Sequence, residues 1–284
     1  MAVRSVLVVL FAATIALQDA RPSAAYRVFA VRYATLADFP VSSLVAGADP
    51  ARRADIAMVL WVLKPETGPA ILFDAGFYGE QYVEQWKPRD FVRPDIALEQ
   101  LNVEPADVSD VIVSHVHWDH LDGAGLFPRA RIWLQKDEYA HHVGPGGTVR
   151  NRGIDARGAA LLAKLQGENR LRLVDGDNQE ILPGITAHTG GRHTYASQYV
   201  SVRTPGGIIV LASDNLYLSD NLYLYENLER RVPIAQTVDA TANLQAQRRM
   251  LELVTNARWV VPGHDPLMFE RFPRVSDGVV AIPR

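Results

Sequence analysis

The stretch Ser114-His115-Val116-His117-Trp118-Asp119-His120 places three histidines and one aspartate within six residues. It follows an apolar run that predicts a buried strand ending at Ser114. In extended backbone, residues two positions apart point to the same side, so His115 and His117 can bind one metal ion together. Asp119 and His120 follow where the chain turns toward a helix, and they can reach a second ion beside the first. The stretch therefore predicts a centre for two metal ions.

Three more residues of metal-binding type come just after predicted strands, where loop edges expose side chains above a rigid sheet. His193 follows the strand at 185–188, Asp214 ends the apolar run at 208–213, and His264 closes the segment Trp259-Val260-Val261-Pro262-Gly263-His264. This recurrence favours a metal centre over the alternative of surface or helix-capping histidines.

The composition limits what can hold such ions. The chain has 284 residues, a net charge of −3, 48% hydrophobic residues and no cysteine, which is an ordinary globular balance. Without cysteine, thiolate ligands and cysteine nucleophiles are excluded, so any metal is held by histidine and carboxylate. These ligands suit Zn²⁺ and also Mn²⁺, Fe and Co²⁺, whereas Ca²⁺ and Mg²⁺ prefer oxygen alone. Two divalent cations, with zinc as the first choice, are the predicted cofactors.

The first 25 residues resemble a secretory leader. Arg4 supplies a positive start, residues 6–17 form an apolar run that only Thr14 interrupts, and Ser23-Ala24-Ala25 offers small residues before a cleavage point. The apolar run is shorter than the roughly 20 residues that a spanning helix needs. We therefore expect a signal peptide at 1–25, one mature domain at 26–284, and a periplasmic or extracellular location. An uncleaved N-terminal anchor is the alternative.

The remaining pattern predicts one α+β domain without repeats or a dividing linker. Predicted strands lie at 26–33, 56–63, 70–74, 110–114, 131–135, 171–174, 185–188, 198–203, 208–212 and 259–261. Predicted helices lie at 95–101, from about 136, and at about 239–255. The first three strands read as a β-meander. Two blocks of strands, each followed by helices, indicate two sheets packed face to face with helices outside, a four-layer αβ/βα sandwich.

In signature, order and spacing, the chain resembles the metallo-β-lactamase-fold hydrolases from about residue 54 to 269. The resemblance implies a first metal site of His115, His117 and His193 and a second site of Asp119, His120 and His264, with Asp214 bridging both. It also implies that Asp74, in Leu72-Phe73-Asp74-Ala75-Gly76, supports the metal loop from behind the ligands. One departure is that Arg192 is inserted before the third histidine, so His188 stays an alternative ligand. His141 and His142 have no place in this ligand set, and we expect them to face solvent or a lid.

Within that group, Ser213-Asp214-Asn215-Leu216-Tyr217 is similar to the N-acyl homoserine lactonases, in which a tyrosine three residues after the bridging aspartate donates a hydrogen bond to the lactone. The resemblance implies ring opening by a hydroxide that bridges the metals, with Asp119 and Tyr217 as catalytic residues. A core or lid role is the alternative for Tyr217. Other ester or phosphotriester hydrolysis, or a non-catalytic metal-binding protein, is the alternative function.

The expected partner is a small-molecule substrate. Phe39, Phe77, Tyr78 and Trp86 are candidates for an apolar mouth that accepts an acyl chain. The absence of a basic run gives no reason to expect nucleic acid, and no stable membrane association is expected after leader cleavage. A homodimer is left open.

Overall fold

A computed structural model of the chain describes residues 24–216 and 232–283. Its strands are β1 Tyr26–Pro40, β2 Arg53–Pro65, β3 Ala70–Phe73, β4 Val108–Ile112, β5 Arg131–Gln135, β6 Leu171–Val174, β7 Gln179–Leu182, β8 Ile185–His188, β9 Tyr199–Thr204, β10 Gly207–Ser213, β11 Val260–Pro262, β12 Arg274–Ser276 and β13 Val279–Ile282. Its helices are α1 Glu80–Trp86, α2 Pro94–Ala97, α3 Trp118–Leu121, α4 Lys136–His142, α5 Ala156–Gly167, α6 Ala240–Glu252 and α7 Met268–Arg271.

The strands form two sheets. The larger has the order β12-β13-β1-β2-β3-β4-β5-β6, and the smaller has the order β11-β10-β9-β8-β7. β1, β2 and β3 pair antiparallel in sequence order, which confirms the predicted β-meander. From β3 to β6 the pairing is parallel, as is the pair β10 and β11. The carboxyl ends of these parallel strands therefore lie at one edge, where loops can converge.

Side chains point alternately to the two faces of each strand, and this divides the hydrophobic core into two parts. On β2, Trp61 and Leu63 point toward the smaller sheet and pack with Ile209 and Leu211 of β10. Their neighbour Val62 points the other way, into a cluster beneath the helices. That outer cluster includes Leu162 of α5, Met250 of α6 and other helix residues, so each sheet has one face on its partner and one under helices. The four-layer α+β sandwich predicted from the sequence is confirmed.

Several boundaries differ from the sequence prediction, and β4 shows why. It ends at Ile112 rather than Ser114, because the Ser114 amide donates to Oδ1 of Asp74 at 2.7 Å instead of joining the sheet ladder. β1 runs on to Pro40, with two irregularities in its pairing to β2 that let the long hairpin bend. Helix α6 begins after Asp239, whose carboxylate accepts from the Ala242 amide at 2.9 Å.

Six elements were not predicted at all. They are short or lack a clear apolar period: α1, α5, α7, β7, β12 and β13. The strand β13 pairs with β1 across more than 240 residues of sequence, from Val28 opposite Ile282 to Val31 opposite Val279. Such a pairing depends on the assembled sheet, so a local pattern does not reveal it.

The predicted leader falls almost wholly outside the described residues, and Tyr217 lies outside them too. Within residues 24–216 and 232–283, none of the helices has the length and apolar character that crossing a bilayer requires.

Candidate metal centre

Loops at one edge of the sandwich bring the seven predicted ligands together. They form two groups whose possible ligand atoms lie within 4.8 Å of one another: His115, His117, His193 and Asp214 in the first, and Asp119, His120 and His264 in the second. They come from four chain segments: the stretch after β4 that leads into α3, and the loops after β8, β10 and β11. Every residue that the sequence assigned as a ligand is at this point.

In the first group, ring nitrogens face each other at hydrogen-bond distance. His117 Nδ1 lies 2.9 Å from His115 Nε2 and 2.9 Å from His193 Nε2. Oδ2 of Asp214 lies 3.3 Å from His193 Nε2 and 3.8 Å from His115 Nε2. Three imidazole nitrogens and one carboxylate oxygen thus converge, which is a donor set that transition metals favour.

The second group is built around the other oxygen of the same carboxylate. Oδ1 of Asp214 lies 2.9 Å from His264 Nε2 and 3.2 Å from His120 Nε2. Oδ2 of Asp119 lies 3.4 Å from His120 Nε2 and 3.7 Å from His264 Nε2. Because one oxygen of Asp214 faces each group, its position fits a bridge between two ions.

The far side of each buried ring fixes which nitrogen faces the centre. Nδ1 of His193 lies 2.9 Å from the Gln236 carbonyl, and Nδ1 of His264 lies 2.9 Å from the Ala57 carbonyl. A carbonyl only accepts hydrogen bonds, so both Nδ1 atoms carry the proton and, in the neutral ring, both Nε2 atoms present a lone pair to the centre. This is the tautomer that binding of a metal through Nε2 requires.

Two atoms of the centre lack ordinary partners. Among the described residues, His120 Nε2 and Asp214 Oδ1 are buried side-chain atoms without a hydrogen bond. Buried polar atoms are rarely left unsatisfied, and a bound ion is one recognised reason. The donor types, their convergence and these two atoms all fit divalent cations held by these residues.

Burial and neighbouring charges set the protonation of the ligands. Burial lowers the pKa of His115 well below its usual value and lowers the pKa of His193 to about 4, so both rings are neutral near pH 7. Burial also disfavours the charged form of His120, but the carboxylates of Asp119 and Asp214 outweigh it and raise the pKa of His120 well above its usual value. The first group is thus ready to bind a metal, whereas the carboxylates of the second group attract positive charge.

Asp74 connects the centre to the sheet, as the resemblance implied. Its Oδ1 accepts from the Ser114 amide at 2.7 Å, and its Oδ2 accepts from His120 Nδ1 and from the Ser213 hydroxyl, both at 2.9 Å. Asp74 and Ser213 both adopt positive φ angles, 62° and 48°. Strained backbone of this kind is common where a fold positions reactive groups. Sequence reasoning missed the role of Ser213, since a serine at a strand end has no distinctive signal.

His188, the alternative third ligand, lies elsewhere. Its Nε2 lies 2.9 Å from the Ser201 hydroxyl and its Nδ1 lies 3.1 Å from Arg249 Nη2, between the smaller sheet and α6. Burial and Arg249 lower its pKa to about 4. Of the two candidates, the structure brings His193 rather than His188 into the metal centre.

The two histidines without a role in the ligand set also differ from expectation. His142 is buried rather than solvated, with its Nε2 3.6 Å from Oε1 of Glu138. His141 is partly buried and stacks on Tyr195, with ring centroids 3.9 Å apart. The expectation failed for His142 because α4 is too short to show which of its faces is buried.

The inserted Arg192 does not displace His193 from the centre; its hydrogen bonds instead hold the neighbouring segment 236–238 in place. Its φ of 57° turns the chain so that its carbonyl accepts from the Val238 amide and the Thr237 hydroxyl, each at 2.8 Å. This fixes segment 236–238, which supplies the carbonyl that orients His193. Its guanidinium also donates to the Tyr195 carbonyl.

This geometry gives a prediction about position 192. Arg192→Gly keeps the left-handed backbone and is expected to change the free energy of unfolding by no more than about 1 kcal/mol. Arg192→Val, whose branched side chain disfavours positive φ, is expected to cost about 1–3 kcal/mol and to weaken metal binding. Urea unfolding and metal analysis of both variants measure this. Equal stability of the glycine and valine variants would show that the left-handed turn is not needed.

A cleft of about 220 Å³ opens above the centre. Its floor includes His117, Asp119, Asp214 and His264, and its walls are Leu36, Phe39, Leu44, Ile56, Met58, Trp86, Trp118 and Gln236. Trp86 stacks on Trp118 with centroids 5.4 Å apart, and Phe39 stacks on Trp86 at 6.2 Å. The floor is therefore polar and the walls are mostly apolar.

Phe39 and Trp86 line the cleft as expected, but Phe77 and Tyr78 are not among its lining residues. Phe77 is fully buried behind the wall, edge-on to Trp118 at 4.6 Å. Tyr78 lies against Arg157, whose guanidinium is 4.8 Å from its ring. Sequence reasoning missed most of the aliphatic wall, because those residues come from β1, β2 and the turn between them and look like ordinary core positions.

Comparisons with known proteins agree with this geometry. The family model for the metallo-beta-lactamase superfamily matches residues 57–264. An N-acyl homoserine lactonase from a Bacillus species is 28% identical over 240 residues, which cover 79% of this chain and 87% of that protein.

Solved structures show the same fold at low identity. An N-acyl homoserine lactone hydrolase with the product N-hexanoyl-L-homoserine at its catalytic metal centre is 21% identical, with a TM-score of 0.69 over 88% of this chain and 97% of that one. AidC, a dizinc quorum-quenching lactonase, is 13% identical, with a TM-score of 0.64 over 92% and 98% of the two chains.

Proposed function

The chain belongs to the metallo-beta-lactamase superfamily, a family of metallohydrolases, and we propose that it is a two-metal hydrolase that opens the ring of an N-acyl homoserine lactone. One observation carries the proposal: the two oxygens of Asp214 face two separate groups of metal-type ligands at the floor of an apolar cleft. The floor suits hydrolysis and the walls suit an acyl chain.

The residues that would hold the ions follow from the donor atoms. His115, His117 and His193 would hold the first, and Asp119, His120 and His264 the second, with Asp214 shared. Divalent cations bound there supply Lewis-acid activation of water and of a carbonyl oxygen. Zinc is the proposed metal, because the ligands are imidazole and carboxylate in a chain without cysteine.

Other parts of the site do the work of binding and proton handling. The walls around Trp86 and Trp118 exclude water and bind an apolar acyl group through burial of its surface. Asp119 lies on the cleft floor, and its side chain is 12% exposed, so its carboxylate reaches the space where a substrate would sit. There it can orient the attacking water and return the proton to the leaving oxygen. Asp74 and Ser213 hold His120 in place behind it.

The choice of a lactone rests on similar proteins and on the cleft. The relatives and solved structures named above are lactonases or carry an acyl homoserine product, which supports this substrate class for the present chain. The described walls of the cleft contain no lysine or arginine to bind a charged phosphate or carboxylate group. An uncharged ring with an apolar tail fits this lining.

Tyr217 is the proposed donor to the lactone. Tyr217→Phe is expected to keep both metals and to lower the rate by about 10²-fold or less, the usual loss for one donor to a developing oxyanion. Steady-state kinetics and metal analysis on the same preparation measure this. Full activity of the phenylalanine variant on its best substrate would remove Tyr217 from the catalytic residues.

We also propose that residues 1–25 act as a leader for export to the periplasm or the medium. The positive start, the apolar run and the small residues before Tyr26 support this. Amino-terminal sequencing of the exported protein tests the proposal, with Tyr26 expected as the first residue. An intact Met1 on protein recovered from the membrane fraction would favour an uncleaved anchor instead.

A substrate panel tests the proposed activity. Zinc-loaded protein is given a medium-chain acyl homoserine lactone, an aryl ester and a phosphotriester, and proton release is followed for each. The proposal expects the highest kcat/KM on the lactone. A preference for the aryl ester or the phosphotriester would keep the hydrolase and overturn the lactone, and no turnover of any substrate by protein carrying two metals would favour a non-catalytic metal-binding protein.

A further inference from the structure

A buried glutamate lies behind the metal centre and takes no part in ligation. Glu138, on α4, is fully buried. Its Oε2 accepts from the Ala196 amide at 2.7 Å, and its Oε1 accepts from the Thr194 hydroxyl at 2.6 Å. A longer contact of 3.4 Å joins the same Oε1 to the Val116 amide. The carboxylate is thus held by three groups from two different loops.

Both loops carry ligands of the first metal site. Val116 stands between His115 and His117, and Thr194 directly follows His193. These are the three histidines whose nitrogens converge at the first site. Glu138 therefore joins, through one side chain, the two chain segments whose separation sets that site.

The carboxylate of Glu138 is not paired with a lysine or arginine of the described residues, and its nearest cationic candidate is His142 at 3.6 Å. Asp110, an equally buried carboxylate, shows the usual arrangement, because Arg131 donates to both of its oxygens at 2.8 and 2.9 Å. Burying a carboxylate costs free energy unless a positive charge is paired with it. A divalent cation at the first site would supply positive charge on the side of Glu138 where the ligands lie.

From these contacts we infer that Glu138 is a positioning residue for the first metal site, which it serves by aligning the two ligand loops and by supplying negative charge behind them. The inference rests on the proposed two-metal centre. Groups that support ligands from behind commonly change metal affinity by about 10–100-fold when replaced. The effect should fall mainly on the first metal, since Val116 and Thr194 directly adjoin His115, His117 and His193. The second-site ligands Asp119 and His120 lie three and four residues beyond Val116.

The test resolves the two metals by titrating zinc into metal-free protein against a competing chelator. For Glu138→Gln, whose amide cannot accept from all the donors now facing the carboxylate, we expect one equivalent to bind about 10–100-fold more weakly and the other to change much less. Asp110→Asn is the matched control, the same acid-to-amide change at a buried site away from the metals, and it should leave both affinities unchanged. Circular dichroism checks the fold of each variant.

A second pair of variants keeps the test decisive if Glu138→Gln does not fold. Thr194→Val removes the hydroxyl donor to Glu138 and should weaken the same equivalent, whereas Thr194→Ser keeps the donor and should bind as the wild type does. Equal affinities in Glu138→Gln and Asp110→Asn, or in the valine and serine variants, would overturn the inference alone. Wild-type protein that binds no zinc would overturn the proposed function and the inference with it.

Discussion

Replacement of Asp214 by alanine is expected to release bound metal and to lower kcat/KM by at least about 10³-fold, because the several kcal/mol that metal ions contribute to the transition state are lost. The reason is positional. Oδ2 of Asp214 faces His193 at 3.3 Å and Oδ1 faces His264 at 2.9 Å, so one substitution removes a donor from each group. Metal analysis after dialysis and proton release on the lactone measure both losses.

The control for this variant is Asp110→Ala. Asp110 is also a buried carboxylate, but it accepts hydrogen bonds from Arg131 and Trp133 on β5 rather than facing the centre. Its loss should lower stability and leave the metal content unchanged. An Asp214→Ala protein that retains two metals after dialysis would show that Asp214 is not the bridge.

Alanine variants of His193 and His188 separate the two candidates for the third histidine ligand of the first site. His193→Ala is expected to lose the first metal and at least about 10²-fold in kcat/KM, because its Nε2 lies 2.9 Å from His117 Nδ1 at the first site. His188→Ala removes an imidazole of equal size that bonds instead to Ser201 and Arg249. It should keep both metals and stay within about tenfold of wild-type activity.

Metal content and kinetics of the two alanine variants, measured side by side, decide the point. Their melting temperatures are compared as well, since both histidines are buried and both substitutions leave cavities. The assignment fails if His188→Ala loses metal while His193→Ala keeps it.

The candidate ligands could be located in the sequence because each of them follows a strand that the sequence also predicts. A strand end fixes a side chain to a rigid sheet, so His115 or Asp214 has a position as soon as its strand does. The same regularity predicted the sandwich, since successive side chains of β2 and β10 point alternately into the inner and the outer part of the core. Local pattern and final architecture agree where both depend on backbone periodicity.

The parts that escaped prediction depend on contacts between distant segments. Asp74 ends β4 early by taking the Ser114 amide, and no window of sequence around β4 contains that carboxylate. The burial of Glu138 and His142 depends on how α4 packs beneath the loop after β8. Ser213 touches Asp74 across 139 positions of the chain. Such supporting contacts are set by tertiary packing rather than by local propensity.

The central claim is that lactone opening requires two metals at this centre. The most direct measurement follows metal content and acyl homoserine lactone opening on the same sample, while a chelator removes the metal and zinc is then returned in steps. We predict that activity falls to background on chelation and returns with the fraction of protein that holds two metals, reaching its full value at two equivalents per chain. Lactone opening that persists in protein shown to contain no metal would contradict the account.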